Sequence, residues 1–234
     1  MTRRRHPVFC AIDTPDLANA KALADIAAAA GFGIKLGKEF FAANGPQGVR
    51  DVREPGTPLF LDVKFHDIPN TVAGAIRSAA VLAPTFITIH AAGGPAMLRA
   101  AAAAAAEFGQ VRPKLLGVTV LTSLDAGDLA ATGVTGSVEQ QVLRLARLAV
   151  DCGLDGLICA PQEIMPLRAA FGPKVQLVVP GIRPAGSKAD DQKRVMTPRE
   201  ALEAGADWLV IGRPINAAPD PAKAVAAIAA EIAA

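Results

Sequence analysis

The chain has 234 residues, 51% of them apolar and 20% charged, with a formal net charge of +2. That length suits one large core, and the composition excludes a disordered polymer. The charge balance gives no electrostatic ground for nucleic-acid binding, and 4% aromatics with no tyrosine remove the stacking platforms of a single-strand binder.

The basic tip Thr2-Arg-Arg-Arg-His6 comes first. No apolar run follows before Asp13, Pro15 and Asp16, so a secretory signal is not expected. A strand is predicted at Val8–Ile12, then a helix over Leu17–Ala30. Strands at Gly33–Leu36 and Leu59–Lys64 come next, and Pro69 opens a helical pattern through Val72–Leu82. Phe86–His90 is the fourth strand. Met97–Phe108 reads as a helix, its Ala100–Ala106 run flanked by Arg99 and Glu107 as a high-propensity, surface-lying stretch. Leu115–Leu121, Gly156–Cys159, Val175–Val179 and Trp208–Ile211 are the later strands. Helical segments fall at Val138–Cys152, Gln162–Phe171, Pro198–Ala204 and Pro221–Ala234.

Strands alternating with helices imply parallel βαβ units. Eight such units predict a (β/α)8 barrel forming a single catalytic domain over residues 1–234, with a doubly wound open sheet as the competing fold. No apolar stretch approaches the ~18 to 20 residues of a membrane helix. Cys10, Cys152 and Cys159 make no CxxC pair, so reduced thiols in the cytoplasm are the expectation. His6, His66 and His90 are scattered, and nothing calls for a metal.

The chemistry-bearing residues fall at predicted strand ends, which converge on one mouth of a barrel. Asp13 ends the first strand and Lys35 lies near the end of the second. Asp62 and Lys64 end the third, on the same side by strand alternation, with Asp67 in the loop beyond. His90 ends the fourth strand, and Thr122 and Ser123 the fifth. Singly, each has a plainer explanation: Asp13 as a helix cap, Lys35 as a solvated end, Lys64 and Asp67 as a surface pair. His66 and His90 read as supports for neighbouring backbone and Cys159 as packing. Together, two lysines and two aspartates on one rim point to a site. The irregular stretch from Pro180 to Thr197 is long enough to be functional. It is joined by Gly212 and Arg213, a small residue beside a guanidinium, in the region where barrels bind phosphate.

The run Asp62-Val-Lys64-Phe-His66-Asp67-Ile-Pro69-Asn-Thr71 resembles the signature of the orotidine 5′-phosphate decarboxylase family, in which DxKxxD is the catalytic core. The resemblance extends to Asp13-Thr-Pro-Asp16, Ile34-Lys35-Leu-Gly37, Val118-Thr-Val-Leu-Thr122-Ser123, Val179-Pro180-Gly-Ile-Arg183-Pro and Ile211-Gly212-Arg213-Pro-Ile. It implies a cofactor-free decarboxylation of orotidine 5′-phosphate to UMP, with Lys64, Asp62, Asp67 and Lys35 catalytic. It further implies that Asp13 and Lys35 bind the ribose hydroxyls, that Thr122 and Ser123 read the pyrimidine edge, and that Pro180 packs near the base. Arg183, Gln192, Gly212 and Arg213 would hold the 5′-phosphate. The family's homodimer would carry Asp67 and Thr71 into the neighbour's site. Two other readings stay open: a Mg²⁺-dependent sugar-phosphate lyase of the same superfamily, and a catalytically silent nucleotide-binding barrel.

Overall fold

The computed structural model describes residues 6–184 and 196–233. In chain order it contains β1 (Val8–Ile12), α1 (Leu17–Ala29), β2 (Gly33–Gly37), α2 (Lys38–Val52), β3 (Leu59–Phe65), α3 (Pro69–Ala80), β4 (Phe86–His90), α4 (Gly94–Ala106) and β5 (Lys114–Val118). There follow α5 (Ala126–Ala131), α6 (Val138–Asp151), β6 (Gly156–Ile158), α7 (Ile164–Phe171), β7 (Gln176–Val179), α8 (Pro198–Glu203), β8 (Trp208–Ile211), α9 (Arg213–Asn216) and α10 (Pro221–Ala233). The eight strands are parallel and close in sequence order, β8 pairing back onto β1. This is the (β/α)8 barrel that the alternation predicts; the open-sheet alternative is excluded by closure.

Alternate residues of each strand divide two cores. Outward side chains such as Ile34, Leu36, Leu61, Ile87 and Leu209 join the helices in the main apolar layer. Inward ones form a second cluster of Phe9, Ala11, Phe60, Phe86, Leu116, Val178 and Val210, with Trp208 and Ile158 against it. Within it Phe9, Phe60 and Phe86 meet edge to face at 5.6 to 6.0 Å between ring centres, the arrangement that ring quadrupoles favour. These rings close the barrel floor. Glycine makes room for them: a Cβ at Gly33 would lie 2.5 Å from Phe9 Cε1.

β5 and α4 depart from the sequence reading in ways that bear on the site and the core. β5 ends at Val118, so Thr122 and Ser123 stand in the following loop and not on the strand. α4 is not simply surface-lying, because Ala101, Ala104 and Ala105 are fully buried. Between β2 and β3, α2 runs across Asn44-Gly45-Pro46. Gly45 takes φ 59° there, a kink between two helical pieces.

Arginines fasten the loops that enter the strands. Arg112 is bidentate to Asp155 at 2.6 and 2.8 Å, and Asp155 also accepts the Leu115 N–H at 2.8 Å. Arg168 binds Asp207 at 2.6 Å and the carbonyls of Gly172, Val175 and Gly205, while Asp207 accepts the Leu177 N–H. Each aspartate thus ties an arginine to the start of the preceding strand. A left-handed residue precedes these strands by three positions, Gly153 (φ 89°) before β6 and Gly205 (φ 110°) before β8. At β4 the same place is held by Ala83, φ 47°, where a Cβ is unfavourable. Ala83→Gly is therefore expected to raise stability by about 0.5–1 kcal/mol, the relief of strain outweighing the added freedom of the unfolded chain. Thermal unfolding would then shift upward by roughly 1–4 °C.

Candidate active site

One step above the aromatic floor, the inward positions turn from apolar to charged. Lys35 on β2, Asp62 on β3 and Thr88 on β4 each lie two residues beyond a floor-level residue of the same strand. Asp62 is the hub. Its Oδ1 accepts from Lys64 Nζ at 2.7 Å and from the Thr88 hydroxyl at 3.0 Å, and its Oδ2 lies 3.5 Å from Lys35 Nζ. Lys35, 8% exposed, reaches on to Asp13 Oδ1 at 3.3 Å. The network therefore runs Asp13–Lys35–Asp62–Lys64, two of each sign.

Burial pushes the Asp62 carboxyl up, but Lys35 and Lys64, with the hydrogen bonds from Lys64 and Thr88, outweigh it and hold the group below its ordinary range. Lys35 is not a solvated strand end, and Asp13 is not the cap of α1. That role belongs to Asp16, whose Oδ1 accepts the Asn19 N–H at 2.7 Å.

Strand alternation alone does not bring Asp62 and Lys64 together. The β3–β4 register pairs Leu61 with Ile87 and then Phe65 with Ile89, so three β3 residues face Thr88 alone. The surplus is absorbed at Lys64, which takes φ 49°, a region costly for a residue with a Cβ. The irregularity aims the ammonium back at the carboxylate of Asp62. Asp67 stays outside the network. It is exposed, and its Oδ1 accepts the Ile68 N–H at 2.6 Å. The expected cluster of Asp62, Lys64 and Asp67 thus gives way, within this chain, to one aspartate between two lysines.

A cavity of about 190 Å³ opens over this network, lined by Lys35, Asp62, Lys64, Thr122 and Pro180 among others. Ser123 is exposed and outside its lining, as is Thr71 on the first turn of α3. Arg183 is buried, with Nη1 donating to the Ile182 carbonyl at 3.1 Å. Ile182 bridges Met196, joining the two ends of the long segment. Gln192 lies outside the described residues. Gly212 precedes α9, where a Cβ would sit 3.2 Å from Asp13 Oδ2 and 3.3 Å from Ala11 Cβ. This close approach favours glycine beside the exposed Arg213. Among the described residues no group of three or more His, Cys, Asp and Glu side chains is placed to hold a metal ion. Cys159 is packing, as expected, its thiol pushed up by burial.

Thr88 is the member of this network that the sequence analysis does not single out. The signal was the inward alternation Phe86, Thr88, His90. The histidines also differ from expectation: instead of supporting backbone, the His66 and His90 rings lie against each other, 5.3 Å between centres. Burial lowers the His90 pKa, and His66, Lys38 and Lys64 lower it further against the pull of Asp62.

A parallel barrel with a lysine–aspartate network held at the C-terminal ends of its strands is the frame of a (β/α)8-barrel enzyme. Comparison with known proteins narrows the class. The model of the "Orotidine 5'-phosphate decarboxylase / HUMPS family" matches residues 6–228, and the chain belongs to that family. The chain is 54% identical over 233 residues to the orotidine 5′-phosphate decarboxylase of Rhodospirillum rubrum, covering 97% of this chain and 94% of that protein. It is 49% identical to the one from Pseudomonas aeruginosa, covering 99% of this chain and all of that protein. The crystal structure of orotidine 5′-phosphate decarboxylase from Lactobacillus acidophilus superposes with a TM-score of 0.86 at 36% identity, covering 97% and 99% of the two chains.

The depressed His90 pKa fixes a sign. An unfolded histidine takes up its proton near pH 6.5, whereas folded His90 resists protonation. The unfolded state then binds more protons, so stability falls as pH drops through that value. Asp62 adds a loss of the same sign further into acid, below the ordinary carboxylate range. Calorimetry between pH 7 and 5 is expected to give a falling transition temperature in the wild type and a flatter dependence in His90→Gln.

Proposed function

We propose that this chain decarboxylates orotidine 5′-phosphate to UMP and CO2 in pyrimidine biosynthesis. The observation that carries the reading is Lys64, an ammonium fixed 2.7 Å from Asp62 at the edge of the cavity, in a chain whose relatives bear that enzyme's name. Loss of CO2 from C6 leaves an electron pair in an sp² orbital that the ring delocalises poorly. The chain's own charges answer that difficulty without a cofactor. Lys64 stabilises the developing carbanion, and two unit charges 4 Å apart interact by about 4 kcal/mol at an effective dielectric near 20. Lys64 then gives its proton to C6 and recovers one from solvent.

Asp62 holds the Lys64 ammonium in place, and it stands on the cavity wall where a substrate carboxylate would be repelled until it departs. Asp13 and Lys35 serve the ribose hydroxyls, Thr122 and Pro180 the base, with Ser123 beside them. Arg183, Gln192, Gly212 and Arg213 take the phosphate. Binding energy at that remote group orders the site around the reacting carbon and so appears in kcat.

The working unit is a homodimer, in the cytoplasm, with Asp67 and Thr71 completing the partner's site. Support comes from the run Asp67 to Thr71, exposed throughout, with Ile68 at 66%, an apolar side chain beside a carboxylate that this chain leaves out of its own network. Among the described residues no helix is long and apolar enough to cross a membrane.

The test is an ultraviolet assay with EDTA present, following loss of the orotate chromophore. The wild type is expected to consume orotidine 5′-phosphate, and Lys64→Ala to lose on the order of a thousandfold in kcat. A folded wild type that leaves the chromophore intact would end this reading. Arg213→Ala is expected to lower kcat/KM on the order of a hundredfold, about 2.7 kcal/mol of transition-state stabilisation. A loss under about 1 kcal/mol would remove Arg213 from the phosphate site.

A further inference from the structure

We infer that Thr88 is a positioning residue, whose hydroxyl holds the Lys64 main chain in its left-handed conformation and at the same time orients the Asp62 carboxylate. The inference rests on the proposed decarboxylation for its kinetic consequence, though not for the geometry itself.

Thr88 Oγ1 accepts the Lys64 N–H at 2.9 Å and donates to Asp62 Oδ1 at 3.0 Å. A hydroxyl has a single proton. With Lys64 N–H directed into a lone pair, that proton is free to go to the carboxylate, and each bond polarises the other. Thr88 is itself 0% exposed, so both bonds are made out of contact with bulk water.

The need for this side chain follows from the register. Between Leu61↔Ile87 and Phe65↔Ile89, β3 spends three residues where β4 spends one. The ladder is interrupted, and the Lys64 N–H takes the Thr88 side chain as its acceptor. Thr88 replaces the missing rung at the place where the backbone turns to φ 49°. An inward serine or threonine is the compact way to do both tasks. Valine has the same shape without either bond.

Because the hydroxyl acts through Lys64 and Asp62, its loss should fall on the chemical step and spare ground-state binding. Thr88→Val is expected to lower kcat on the order of thirtyfold, while the dissociation constant of UMP stays within about threefold of wild type. Thr88→Ser, which keeps the hydroxyl, is expected to restore kcat to within about threefold. Hydrogen exchange read by NMR gives an independent measure: the Lys64 amide should exchange at least about tenfold faster in Thr88→Val, with Ile87 and Ile89 unchanged. Thr88→Ala takes the place of the valine variant if that protein does not fold.

The inference is overturned if kcat and Lys64 exchange both survive loss of the hydroxyl. It is equally overturned if Thr88→Ser is as impaired as Thr88→Val, which would assign the role to packing of the methyl group. A wild type inactive on orotidine 5′-phosphate would end the proposed function alone, and Lys64 exchange would still decide the role of Thr88.

Discussion

The buried carboxylate of Asp62 is the constraint on which the mouth of this barrel depends. A carboxylate held over a floor of phenylalanine rings is costly unless it is paired and hydrogen-bonded. Lys35, Lys64 and Thr88 meet that demand from three directions. Each is in turn held by its own strand, so geometry is passed from the sheet to the ammonium through one acidic group. Removing Asp62 would leave two lysines facing each other across a space of low polarity, a far larger loss than one ion pair.

The same scaffold separates durability from chemistry. The entrances to β5–β8 are fastened by Arg112 and Arg168 against Asp155 and Asp207. At the other end, the strain that touches the site is the positive φ of Lys64. Strain of this kind persists only where its surroundings over-determine it. The rings beneath, the irregular β3–β4 register and the shared carboxylate supply that insistence.

Much of this was legible in the sequence because the barrel uses alternation so regularly. Apolar runs gave eight strands in the right order, and Asp13, Lys35, Asp62 and Lys64 do meet at one mouth. That Asp67 stays outside this chain's own network is something no pattern holds: a residue five positions beyond Asp62 can face inward or outward, and here its Oδ1 accepts the Ile68 N–H on the exposed side. The extra residues in β3 were equally hidden, since a bulge depends on the register with β4 and not on β3 alone. Thr88 was missed because a single threonine among Phe86, Ile87 and Ile89 looks like ordinary strand composition. Its two partners become visible only when the neighbouring strand is in place.

Trp208 carries a consequence of an optical kind. The chain has one tryptophan and no tyrosine, and that indole sits at the barrel floor, 5.1 Å from the Phe9 ring centre and bonded through Nε1 to Gln176. The ultraviolet emission of the whole protein therefore originates at a single half-buried ring packed against the barrel floor. It is a built-in lamp, bright or shifted according to how tightly the barrel closes around it, and largely blind to events among the outer helices.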